Sequence, residues 1–300
     1  MPRGTCFATH TDYQVNYINY YTGWLIPNTE VWVGDERLMK INSLGCKGEE
    51  LDPRLGTIGF FDDSTTFGAS NNRVPDSWPF HVRIPGYQAL NAGVEGHPFD
   101  RLCARYDGLS TQVDFAAAVI AGTWHNIVYN KVGEQAWAGY FARFSTARVL
   151  AICTLPTAFN PESSRRGIDE LVCATGPNAF HHWGNWPGSA AKSRQAYDAV
   201  LRYNAFVRKY CRESGAVLID LFYAYRPESY ANMPDMFTDP IHARADLYPA
   251  LGLYAADRLA RVLPSRADVP IVALEAPQMA AHHDVSPDSL ALDHRVYPLW

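Results

Sequence analysis

Several features that would mark common protein classes are missing from this sequence. The first residues, Met1-Pro2-Arg3-Gly4-Thr5-Cys6-Phe7-Ala8, carry no apolar run after their basic start. No secretory signal is read there, and a cytoplasmic location is expected. Charged side chains are scarce at 19%, and 26 basic against 31 acidic residues leave a net charge of −5. Such a chain offers no positive field for a phosphate backbone, so no nucleic-acid partner is expected. The most apolar stretch, residues 115–127, is too short for a bilayer and contains His125 and Asn126, so no membrane association is expected either. Six cysteines (Cys6, Cys46, Cys103, Cys153, Cys173, Cys211) include no CxxC pair, which argues against a zinc knuckle or a disulfide framework. There is no HExxH, no internal repeat and no low-complexity tract. Neither a metal nor a cofactor is expected.

What the 300 residues do have is 47% hydrophobic side chains, enough to bury one large core. From Gly56 onward, short apolar runs alternate with longer amphipathic segments, the pattern of an α/β fold with a central parallel sheet. Strands are expected at Thr57 to Phe61, Ala89 to Ala92, Val113 to Ala121, Ala147 to Thr154 and Ala216 to Leu221. Ser189 to Glu213 has helical apolar spacing (Ala196, Val200, Tyr203, Phe206, Val207, Tyr210) and stops before Gly215. A last helix follows Asp246 and ends before Pro264. Three regions break the alternation. Residues 1–55 are read as an extension packed on a domain spanning 56–264; residues 156–190 form a long insertion of the kind that covers a cleft; residues 265–300 read as an extended tail.

Chemistry enters where the first apolar strand runs into Asp62-Asp63-Ser64-Thr65-Thr66-Phe67-Gly68. Ligands bind at the carboxyl ends of strands in a parallel sheet, so Ser64 is a candidate nucleophile. A serine needs a base held in place by a third group. Asp239-Pro240-Ile241-His242 supplies a carboxylate and an imidazole three residues apart, just before the last helix.

With those residues in view, the chain resembles the SGNH (GDSL-type) hydrolases, a family with a flavodoxin-like three-layer α/β sandwich that acts on esters and related acyl compounds. The resemblance runs from about residue 40 to residue 263. GDSxTxG is similar to residues 62–68, with Ser64 in the nucleophile position; a glycine following a strand-end asparagine is matched by Asn91-Ala92-Gly93; DxxH is matched by Asp239 to His242. Asn42-Ser43-Leu44-Gly45-Cys46-Lys47-Gly48 is similar to an NSxGxRG stretch found in one subset of the family. The resemblance implies Ser64, Asp239 and His242 as a triad, with the backbone N–H groups of Ser64 and Gly93 facing an oxyanion. Two departures stand out. Asp62 occupies a position that is glycine in the family, and the GxND motif reads Gly122-Thr123-Trp124-His125-Asn126. Asn126 is favoured as the side-chain oxyanion donor, with His125 or Trp124 as alternatives.

Trp124, His125, His182 and Trp183 are the candidate substrate contacts. The implied function is a serine acyl hydrolase cleaving an ester of a small acylated metabolite or sugar. An acyltransferase using the same serine, and a binding protein on a degraded hydrolase fold, are the alternatives. A small acyl substrate is the expected partner, and nothing in the sequence specifies an oligomeric state.

Overall fold

Gly56–Phe61 (β4), Phe115–Ile120 (β6) and most of Leu150–Cys153 (β7) are buried along their whole length, as strands covered on both faces must be. In the computed structural model, the described residues are 5–7, 18–19, 24–33, 36–68, 76–123, 126–127, 132–155, 190–221 and 242–266. With Tyr87–Asn91 (β5) and Val217–Ile219 (β8), these strands form a five-stranded, all-parallel sheet in the spatial order β5-β4-β6-β7-β8. Counted along the chain that order is 2-1-3-4-5, the flavodoxin-like arrangement. The order reverses at β4, so a crevice opens where β4 and β6 end.

The pleat sorts side chains into two cores. Phe61, Ala118, Ile120 and Ile152 face Phe99–Ser110 (α2), Glu134–Arg143 (α3) and Ala190–Ser214 (α4). Ile58, Phe60, Ala117, Val119, Ala151 and Cys153 face Tyr248–Ala260 (α5) and the 3-10 turn Trp78–His81. The result is helices on both faces of one sheet. On the first face Phe61 lies edge-on to Tyr106, Phe115 and Phe144, with ring centroids 5.2, 5.5 and 5.3 Å away. Each such pair adds about 0.5–1.5 kcal/mol beyond area burial, so this strand end is firmly held.

The extension contains more regular structure than its turn-rich sequence suggests. Thr5–Phe7 (β1), Thr29–Val33 (β2) and Glu36–Ile41 (β3) form a three-stranded sheet, with β2 and β3 antiparallel. The readable signal is the period-2 alternation of Thr29-Glu30-Val31, whose Thr29 and Val31 are buried. Past β3 the chain bridges to the main sheet through Lys47, which pairs with both Ile41 and Asn91.

Beyond α5, Tyr87 Oη donates to the Pro264 carbonyl at 2.7 Å and Arg266 lies over the Tyr87 ring. Tyr87 opens β5, so the C-terminal segment starts at the amino ends of the strands, away from the crevice. Residues 156–189 and 267–300, which hold most of the expected insertion and tail, lie outside the described residues. No helix among the described residues is long and apolar enough to cross a membrane.

Candidate active site

Directly after β4, Asp63 caps a one-turn helix, Ser64–Phe67 (α1), by accepting the Thr65 backbone N–H at 3.1 Å. Gly68 ends the turn in the left-handed region, φ 88°, where glycine pays no steric penalty. Ser64 thus sits at the crevice on the first residue of a helix. Its backbone N–H has no partner among the described residues, as expected for a helix N-terminus, and that group suits a developing anion.

From the far end of the chain, His242 arrives at the same point. Ser64 Oγ and His242 Nε2 are 2.7 Å apart, both buried, across 178 positions of sequence. For Nε2 to accept the hydroxyl proton, the imidazole must carry its own proton on Nδ1. Asp239, the expected partner for that proton, lies outside the described residues, as do Trp124, His125, His182 and Trp183.

Gly93 lies against the Ser64 turn. A Cβ built there would come within 2.8 Å of the Phe67 backbone nitrogen and 3.1 Å of both the Asp63 carbonyl and Asn91 Oδ1. No side chain fits. Its N–H donates to Asn91 Oδ1 at 3.0 Å, so an oxyanion would have to share that hydrogen. Asn126 is buried, and its Oδ1 accepts the Phe99 N–H at 2.6 Å and the Thr123 hydroxyl at 2.8 Å. It thereby caps α2, whose own N-cap, Pro98, has no side-chain acceptor. Its Nδ2 makes no hydrogen bond to the described residues, which leaves two N–H groups to donate.

Three further side chains hold this arrangement, and sequence reasoning did not assign them. Asn91, at the end of β5 and wholly buried, donates to the Thr66 carbonyl at 2.9 Å and to Ser77 Oγ at 2.8 Å while accepting from Gly93. It ties the Ser64 turn to the glycine loop. Lys47, in the NSxGxRG-like stretch, is buried and donates to the carbonyls of Phe67 at 2.8 Å and Asp76 at 3.0 Å. Both ends of the 68–76 connection are therefore pinned by one ammonium. Burial pushes that amine down to about 8, against the pull of Asp76 and Glu95. No sequence signal marked it, because Lys47 sits between Cys46 and Gly48-Glu49-Glu50 and reads as an ordinary polar turn position. Asp62 is the third, with its carboxyl held against Thr65 and Thr66.

The neighbouring strand ends are braced as well. Asn204 of α4 holds Leu155 through both its backbone N–H and its carbonyl, at 2.8 and 3.1 Å. Asp220 accepts from Thr154 Oγ1 at 2.8 Å and from Arg208 Nε at 2.8 Å. The rim beyond β7 and β8 is thus fixed at the point where the 156–189 segment begins. Cys153 is buried and its thiol is pushed well up by desolvation, which makes it a core group and a poor nucleophile. Among the described residues no group of three or more His, Cys, Asp or Glu side chains is disposed to hold a metal ion.

No protein-family model matches the chain, and no curated protein does. Solved structures similar to it include the lipase/acylhydrolase from Enterococcus faecalis, at 14% identity and a TM-score of 0.48 over 70% of this chain and 98% of that one. Another is a member of the lipolytic protein G-D-S-L family from Veillonella parvula, at 14% identity and a TM-score of 0.46 over 69% and 99% of the respective chains. A catalytic mutant of an acetylxylan esterase from Geobacillus stearothermophilus is similar at 13% identity, with a TM-score of 0.45 over 69% and 95%.

Proposed function

We propose that the protein is a serine acyl hydrolase, an esterase acting on a small acylated metabolite or sugar. The observation that carries this reading is the 2.7 Å contact between Ser64 Oγ and His242 Nε2 at the carboxyl end of β4. A serine hydroxyl aimed at an imidazole nitrogen, on a helix start whose N–H has no partner among the described residues, is the arrangement that activates a weak nucleophile. In the reaction, Ser64 Oγ attacks the acyl carbonyl carbon while His242 takes its proton. The carbonyl oxygen becomes an oxyanion beside the Ser64 N–H, with the Asn126 amide and a shared Gly93 N–H as further donors. Collapse breaks the bond to the leaving alcohol, which departs with the proton from His242. Water then repeats the sequence on the acyl-enzyme and frees the acid. Asp239 is assigned to the imidazole's second nitrogen, where it would hold the tautomer and steady the imidazolium.

The test is covalent. The protein should turn over p-nitrophenyl acetate and be labelled by a fluorophosphonate on Ser64, located by peptide mapping. No turnover and no label on Ser64 would overturn the assignment.

A further inference from the structure

The family pattern asks for glycine two residues before the nucleophile, and this chain has a carboxylate there. Asp62 is 1% exposed. Its Oδ2 accepts the hydroxyl of Thr65 and, at 3.0 Å, the hydroxyl of Thr66. Its Oδ1 is wholly shielded and has no hydrogen-bond partner. The restraint matters because α1 has so little of its own. Two backbone bonds close it, Phe67 N–H to the Asp63 carbonyl at 3.1 Å and Gly68 N–H to the Ser64 carbonyl at 2.9 Å. A single turn does not hold its shape in isolation, so its geometry must come from outside. Asp63 holds one backbone N–H of the turn, and Asp62 holds two of its side chains.

We propose that Asp62 is a positioning residue for Ser64, gripping the nucleophile turn through the hydroxyls of Thr65 and Thr66. The inference rests on the hydrolase reading above and adds a residue specific to this chain. Its charge state fits the task. Among the described residues, the titratable groups whose charges act on the carboxyl include Asp63 on the same turn, Cys153 at the end of β7 and Tyr203 on α4. Burial, with Asp63 beside it, pushes Asp62 well above the usual carboxylate range. A protonated Asp62 still accepts the two hydroxyls, and it places no negative charge where the acyl oxygen must acquire one. Ionisation at high pH would add that charge and oppose the attack.

The experiment compares second-order rates of fluorophosphonate labelling at Ser64 from pH 6 to pH 10 in the unaltered protein and in Asp62→Ala, Asp62→Gly and Asp62→Asn. Ala and Gly remove the acceptor and should label roughly 10- to 100-fold more slowly, the penalty expected of a nucleophile that has lost its fixed position. Gly should be slow even though it restores the family's residue. Asn keeps an oxygen for the two hydroxyls and cannot ionise, so it should recover the rate to within about fivefold. Thr66→Val removes one hydroxyl at constant shape and should slow labelling without unfolding, as checked by its thermal melt. Ala or Gly labelling as fast as the unaltered protein would overturn the proposal, as would Asn being no better than Ala. Absence of labelling in the unaltered protein is a different result, which removes the hydrolase reading and this inference together.

Discussion

Asn91→Asp keeps the shape of a wholly buried side chain and reverses the polarity of one arm. Asn91 Oδ1 accepts the Gly93 N–H, and an aspartate oxygen does so equally well. Nδ2 donates to the Thr66 carbonyl at 2.9 Å and to Ser77 Oγ at 2.8 Å, and here the substitution sets an acceptor against an acceptor. Two lost donations cost about 1 kcal/mol each, and the Thr66 carbonyl left facing a buried oxygen adds roughly 1–3 kcal/mol. A total of roughly 3–5 kcal/mol is a large part of a typical stability of about 5–15 kcal/mol. The introduced carboxyl can escape by taking a proton, because a protonated acid again donates once, so its folded-state pKa is raised above the unfolded value of about 3.9. Between those two values the folded state binds one proton more than the unfolded state. Stability relative to the unaltered protein must then fall as pH rises, by about 1.4 kcal/mol per pH unit, until the carboxyl ionises in the fold. Urea unfolding of both proteins at pH 5 and pH 8 measures this. A deficit that is flat with pH, or absent at pH 8, would refute the reasoning and show that Asn91 does not hold the turn and the glycine loop together.

Other perturbations test other parts. Ser64→Ala and His242→Ala should each lower esterase kcat by roughly 10³-fold or more, and the double variant should be little worse than either, since the two act as one unit. Gly93→Ala places a methyl group 2.8 Å from the Phe67 nitrogen, and backbone rather than side chain must yield. It should destabilise by about 1–3 kcal/mol in urea unfolding and slow labelling of Ser64 roughly 100-fold. Lys47 has a folded pKa of about 8 against the ordinary lysine value, so the unfolded chain binds the extra proton between the two. Its contribution therefore improves as pH rises from 8 toward 10, by up to about 3 kcal/mol, and Lys47→Met should erase that rise when the two proteins' unfolding curves are compared. Phe61→Ala empties the centre of the Tyr106–Phe115–Phe144 cluster and should cost about 3–5 kcal/mol by the same measurement.

The five strands were legible in the sequence because burial on both faces leaves an uninterrupted apolar run, and their positions in the fold match the runs to within a few residues. The long helix ending at Ser214 was legible for the complementary reason, since one apolar stripe repeats along it. Ser64 and His242 were legible as a hydroxyl at a strand end and an imidazole before the last helix, and the fold brings the two within 2.7 Å of each other. The small sheet of the extension was harder to see, because its alternation is short and one of its inward residues, Thr29, is polar. What no linear reading could supply is the bonding around the turn. That Asn91 occupies the Gly93 N–H, that Asn126 spends its oxygen on α2, and that Lys47 pins Phe67 and Asp76 all depend on groups from 2 to 29 positions apart being brought face to face in a particular orientation. Composition and periodicity decide which face of an element is buried, because water selects on polarity alone. Which donor meets which acceptor is a matter of ångströms and angles, and only the packed chain sets those.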